Sequence, residues 1–131
     1  MITHKQFLKI ASTIAESSKC ENAKVGAILV KEGRIISIGY NGTPTGWDNE
    51  CECDGKTKPE VLHAETNAIS KCAMSNESSK GSILYCTLSP CLECSKLIIQ
   101  SGISEVFYLK DYYNLEGISI LAKSNIKTTK L

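Results

Sequence analysis

The chain has 131 residues, with fifteen Lys and Arg against fourteen Asp and Glu and a net charge of +1. That length fits one domain spanning residues 1–131 and is too short for a TIM barrel. Hydrophobic residues at 42% and charged residues at 22% exclude a disordered chain, and near-neutrality argues against a protein that grips a polyphosphate backbone non-specifically.

In chain order, Phe7, Ile10, Ala11, Ile14 and Ala15 recur at helical spacing, which predicts an amphipathic helix from Thr3, its N-cap, to about Ser18. These apolar residues are spread rather than gathered in one block, so no signal-peptide core is expected. The longest apolar run, Val25–Val30, is too short to span a membrane. Val25–Val30 and Arg34–Tyr40, joined by residues 31–33, read as a hairpin. Residues 41–60, with Gly42, Pro44, Gly46, Gly55 and Pro59, read as a polar loop. Leu62 to about Met74 reads as a helix and Ile83–Thr87 as a strand. Pro90 is expected to open a helix that Gly102 stops. A strand at Val106–Leu109, a short helix at Glu116–Lys123 and a weak strand near Ile126–Thr128 complete the chain. Alternation of strands and helices after a hairpin implies an α/β fold, a mixed sheet with helices on both faces.

Seven cysteines without a secretory address read better as reduced thiols and metal ligands than as a disulfide framework, which suggests a cytoplasmic setting. His63-Ala64-Glu65 and Pro90-Cys91-Leu92-Glu93-Cys94 carry the chemistry. His63, Cys91 and Cys94 offer one nitrogen and two sulfurs, which leaves a tetrahedral zinc one open position, as a catalytic ion requires. Both segments fall at expected helix N-termini, where the dipole lowers the thiol pKa toward thiolate. Glu65, two residues past the histidine, is free to move protons beside the metal.

A lone C-x-x-C is also compatible with a redox pair or half a zinc ribbon. The ribbon lacks its second C-x-x-C, since Cys51-Glu52-Cys53 has one intervening residue, and the redox reading leaves His63-Ala64-Glu65 unexplained. Two look-alikes fail: Gly55-Lys56-Thr57 ends like a phosphate loop but has Glu50 where the earlier glycine belongs, and the acidic run 48–54 lacks calcium-loop spacing.

The H-x-E and P-C-x-x-C pair is the signature of zinc nucleobase deaminases. Beyond it, Lys24–Val30, Gly33–Asn49, His63–Ile69 and Leu84–Ile103 resemble the deoxycytidylate (dCMP) deaminases over nearly the whole chain. The resemblance implies a three-layer α/β/α cytidine deaminase-like fold with a mixed sheet of about five strands. It implies hydrolysis of dCMP to dUMP and ammonia, for thymidylate synthesis, with zinc held by His63, Cys91 and Cys94. Water attacks C4 of the ring, while Glu65 protonates N3 and then helps the amino group leave. Backbone groups of Ala64, Ser89 and Pro90 are expected at the ring.

Lys24 and Asn41, with Asn67 nearby, are candidates for the 5′-phosphate, although Lys24 reads equally as a solvated surface lysine. Tyr112 and Tyr113 are candidates to stack on the base, or plain packing. In the resembled family the loop bearing Gly39, Tyr40, Asn41, Gly42, Pro44 and Gly46 contributes to an effector site at subunit contacts. There dCTP with a divalent cation such as Mg2+ activates, dTTP inhibits, and the enzymes are typically homohexamers. The same six positions are also ordinary turn chemistry. Cys20, Cys51 and Cys53 are candidates for a second zinc, without an obvious fourth ligand, and Cys72 and Cys86 read as core. A deaminase of another base or of tRNA, and a non-catalytic zinc-stapled or redox module, remain alternatives.

Overall fold

A computed structural model describes residues 1–131. Strands β1 (Gly26–Lys31), β2 (Arg34–Tyr40), β5 (Ile83–Leu88), β6 (Glu105–Lys110) and β7 (Lys127–Lys130) form one sheet in the order β2-β1-β5-β6-β7. β1 runs antiparallel to β2 and β5, whereas β5, β6 and β7 are parallel. The parallel half is a continuous βαβαβ path through α3 (Leu92–Gln100) and α4 (Glu116–Lys123). Two further helices, α1 (His4–Ala15) and α2 (Ala64–Ala73), complete the layers. The expected mixed sheet with helices on both faces is what forms.

Strand alternation divides the core between the two faces. Ile28 and Val30 of β1, Tyr85 of β5 and Phe107 of β6 meet Phe7, Leu8 and Ala11 of α1. Their neighbours Ala27, Leu29, Leu84, Cys86 and Val106 face the other way, against Ala64 and Ala68 of α2, Ile98 of α3 and Leu121 of α4. One helix therefore covers one face and three cover the other. Each fully buried Leu or Ile here contributes about 1.5–3 kcal/mol. Cys72 and Cys86 lie in the second cluster, as small hydrophobes should.

Local chemistry sets the element ends. Thr3 caps α1 through a capping box with Gln6, and the helix stops at Ala15, short of the expected Ser18. The β1–β2 turn uses Glu32 and Gly33, both at positive φ (52° and 75°). Residues 41–60 are not all loop: β3 (Glu52–Cys53) and β4 (Lys56–Thr57) pair around Asp54-Gly55, both with positive φ. Asp-Gly was the available hairpin signal, masked by the polar residues around it. Pro90 does not open α3. Cys91 holds the N-cap instead, its thiol accepting from Cys94 N–H, so the proline lies one residue before the cap. No helix is long and apolar enough to cross a membrane.

α2 lies directly on the backbone of β2. A methyl on Gly39 would overlap the Ala64 carbonyl oxygen and sit 2.5 Å from Ala68 N. Ser37 Oγ fastens the same contact by donating to Ala68 O at 2.6 Å. Gly39→Ala should therefore lower unfolding stability by about 1–3 kcal/mol in urea titrations, because neither backbone can yield. Gly42→Ala, with no atom within 4 Å of the added carbon, should stay within about 0.5 kcal/mol of wild type.

Candidate metal centre and active site

Two helix N-termini converge at the carboxyl end of β5. His63 is the N-cap of α2 and Cys91 that of α3, with Cys94 one turn further on. His63 Nδ1 lies 3.4 Å from Cys91 Sγ and 3.3 Å from Cys94 Sγ. A tetrahedral zinc with ordinary bond lengths sets its nitrogen and sulfur ligands about 3.6 Å apart, so the three donors fit that ion. Each can supply one ligand atom to a single point. Thr66 Oγ1 reaches Cys94 Sγ at 3.6 Å from the first turn of α2, a supporting contact for which the sequence offered no separate signal.

The electrostatics suit a cation. A hydrogen bond from the Cys94 thiol, followed by His63 and the Cys94 N–H, pulls Cys91 down to about 4. Cys94 moves upward because it shares its proton with Cys91 and is buried. The Cys91 partner raises His63. One negative charge is thus already held between the two sulfurs, and a divalent ion would release the remaining proton. Burial pushes the Glu65 carboxyl up to about 7, and only 4% of the residue is exposed.

His63, Glu65 and Cys91 open into a cavity of about 260 Å3. Of the expected contacts, Asn41, Ala64, Ser89 and Tyr112 line it. Ser89 Oγ accepts from Tyr112 N–H at 2.7 Å, which holds that tyrosine over the site, whereas Tyr113 is 88% exposed. Asn41 braces the wall: its Oδ1 accepts from Val25 N–H and its Nδ2 donates to Ala23 O. Lys24 turns instead to the Ser18 carbonyl at 2.6 Å, and Asn67 donates to Tyr40 O and faces a second cavity. Pro90 is buried beside α4, where a methyl on Gly117 would overlap its carbonyl oxygen. Sequence reading did not find the opposite wall, made by Asn22, Glu52 and Thr57, because these residues are adjacent only in space.

The second cavity, of about 400 Å3, is lined by Tyr40, Asn41, Gly42, Pro44 and Gly46 together with Lys19, Trp47 and Lys71. Gly39, expected with this group, serves the β2–α2 contact instead, since its missing side chain is needed there. Cys20 and Cys51 meet, but as a disulfide, against the expectation of reduced thiols throughout. Thirty-one positions of separation hide the pairing, which joins the segment after α1 to the one entering β3. Cys53 does not join them: it is exposed on β3, and Glu52 is the potential ligand beside the pair.

His63→Ala and Cys94→Ala should each reduce zinc to a small fraction of one equivalent by elemental analysis. Cys72→Ala, which removes a core thiol remote from the centre, should retain full zinc.

The cytidine and deoxycytidylate deaminase zinc-binding region matches residues 1–110. Human deoxycytidylate deaminase is 44% identical over 82% of this chain, which spans 65% of the human protein's length. Mycobacterium phage D29 deoxycytidylate deaminase is 39% identical over 80% of this chain and 92% of its own. A dCMP deaminase from the cyanophage S-TIM5, solved with dCMP and dUMP, superposes with a TM-score of 0.95 at 45% identity, covering 97% of this chain and 95% of that one. With the three metal donors gathered at one point, and Glu65 in the cavity that His63 and Cys91 open into, the chain belongs to the cytidine and deoxycytidylate deaminase family.

Proposed function

We propose that the protein is a zinc hydrolase converting dCMP and water to dUMP and ammonia. The observation that carries this reading is the buried Glu65 carboxyl lining the same cavity as His63 and Cys91. Bound zinc would supply a water made nucleophilic near neutral pH. Glu65, at about 7, takes a proton at that pH and gives it up again as readily. It collects the proton lost by the water, delivers it to ring N3, and passes the next to the departing amino group. Ala64 N–H, in the first turn of α2 without a helical acceptor, is suited to the ring carbonyl. Val25, Val61 and Leu88 give the base an apolar slot, and Tyr112 closes its side. Asn41 is the candidate for the sugar-phosphate end through its second Nδ2 hydrogen, beyond the one given to Ala23 O, whereas Lys24 must first leave Ser18.

Glu65→Gln keeps the shape and removes the proton carrier. It should retain one zinc and the wild-type melting temperature while ammonia release from dCMP falls by at least about 100-fold. Absence of ammonia release by zinc-loaded wild type would overturn the reading, and a panel with CMP, deoxycytidine, dCTP and guanine fixes the substrate.

We further infer that the second cavity takes a nucleotide effector, dCTP with Mg2+ as activator and dTTP as inhibitor, in a homo-oligomer of hexameric type. Lys19 and Lys71 supply cations for phosphates, and the 59%-exposed Trp47 offers a ring face for a base. Exposed Leu97 and Leu115 provide apolar surface for assembly. Titrated dCTP should lower the dCMP concentration for half-saturation, an effect Lys71→Ala should abolish, and light scattering should give a mass above one chain. Hyperbolic kinetics indifferent to dCTP and dTTP in a monomer would sink this inference.

A further inference from the structure

The bonded pair Cys20–Cys51 supplies neither a donor to the His63–Cys91–Cys94 centre nor the buried carboxyl, and it stands in the wall between the two cavities. Cys20 lines the first beside His63 and Glu65, and Cys51 lines the second beside Gly42 and Lys71. The two residues are only 2% and 1% exposed. Asn41 lines both cavities, and its carbonyl accepts from Ser18 Oγ at 2.9 Å in the segment leading to Cys20.

The bond ties the segment after α1 to the segment entering β3. Next to it, the Glu52 carboxylate accepts from the backbone N–H groups of Glu21 and Asn22 at 3.1–3.2 Å. Asn22 Nδ2 donates to Gly55 O at 3.0 Å and to Thr57 Oγ1 at 3.2 Å. Asn22, Glu52 and Thr57 thereby become one wall of the first cavity. The β3–β4 hairpin has strands of two residues each, too short to hold itself in place. The polar ties lie on the surface, where water competes for them. The disulfide is the one covalent constraint on this wall, beside backbone hydrogen bonds from Lys58 N–H to Cys51 O and between Gly42 and Leu62.

Five other cysteines are free thiols, and Cys91 and Cys94 must remain so to hold a metal. A molecule that works where thiols persist exposes its disulfides to exchange with them. We propose that Cys20–Cys51 is a reversible redox staple that positions the β3–β4 wall and so sets affinity for substrate without touching the reacting atoms. A dithiol reductant opens it in two exchanges: its first thiolate bonds one protein sulfur and releases the other cysteine. Its second thiolate then releases the first cysteine and leaves a cyclic disulfide. Two electrons and two protons pass from reductant to protein. A small-molecule disulfide runs the reaction backward and departs as two thiols.

The activity readout rests on the dCMP reading above, so the test also carries one that does not. Zinc-loaded wild type is equilibrated across ratios of reduced and oxidised dithiothreitol, with maleimide mass mapping, zinc analysis and dCMP kinetics at each. Cys20 and Cys51 should become labelled together in one transition. Over that transition KM should rise several-fold, kcat should change less than twofold, and zinc should stay at one equivalent. Cys20→Ala/Cys51→Ala should show the high KM at every ratio. A KM indifferent to the state of the pair overturns the staple, as does a pair that never forms. So does a fall in kcat that tracks zinc loss, or a second zinc taken up on reduction. If neither state releases ammonia, the dCMP reading has failed, and hydrogen exchange at residues 21–22 and 52–57 decides the staple alone: protection unchanged across the transition overturns it.

Discussion

Three donor atoms on two helices can share one ion only if the helices' first turns approach to within a bond length or two of a common point. The backbone makes room for this at two glycines. Gly39 lets the start of α2 rest on β2, bringing the Ala64 carbonyl against the strand, and Gly117 lets the start of α4 rest on the Pro90 and Cys91 carbonyls. The first contact fixes the helix that carries His63 and Glu65, and the second fixes the loop that carries Cys91. A side chain at either position would overlap the facing backbone and push these elements apart, carrying the ligands away from their common point. The metal centre therefore depends on close approach of backbone, and the hydrophobic clusters serve to hold that approach.

The same convergence accounts for the electrostatics. N-terminal ends of α2 and α3 both face the site, so their free N–H groups favour negative charge there. Cys91, an N-cap with a sulfur acceptor, uses this directly through the Cys94 N–H. Glu65 lies in the first turn of α2, yet burial outweighs the favourable backbone contact and leaves its carboxyl near 7. One helix end thus supports a group that stays charged beside another that exchanges its proton, and depth of burial separates them.

The metal ligands and Glu65 were legible in the sequence because their chemistry is encoded in short spacings that survive folding. The sheet was legible for the same reason: strands of β-branched residues alternate with helical stretches over local distances. What failed to show depended on contacts between segments far apart. Cys20 and Cys51 carry no spacing rule, and Glu52 gains its place from backbone donors at Glu21 and Asn22. Lys24 reads as a free cation until the Ser18 carbonyl appears beside it. Gly39 looked like part of a loop motif, but its reason lies in the helix above it. The Asp54-Gly55 hairpin was readable and was hidden only by the polar composition around it.

Reaction and recognition are therefore built on parts of different stiffness. The three donors and Glu65 sit at element ends pinned to the sheet, by the carboxyl end of β5, which has an antiparallel neighbour in β1 and a parallel one in β6. The opposite wall rests on residues 20–23 and 51–61, which contribute only a two-residue ladder of their own. The cavity therefore has elements anchored to the sheet on one side and a lightly supported wall on the other. Groups that act on a reacting atom must hold within a fraction of an ångström, whereas a wall that only encloses a ligand tolerates more play. Asn41, bonded to Val25 just before β1 and lining both cavities, and the Cys20–Cys51 pair, with one cysteine in each, both connect the second cavity to that wall, and neither belongs to the metal-donor set.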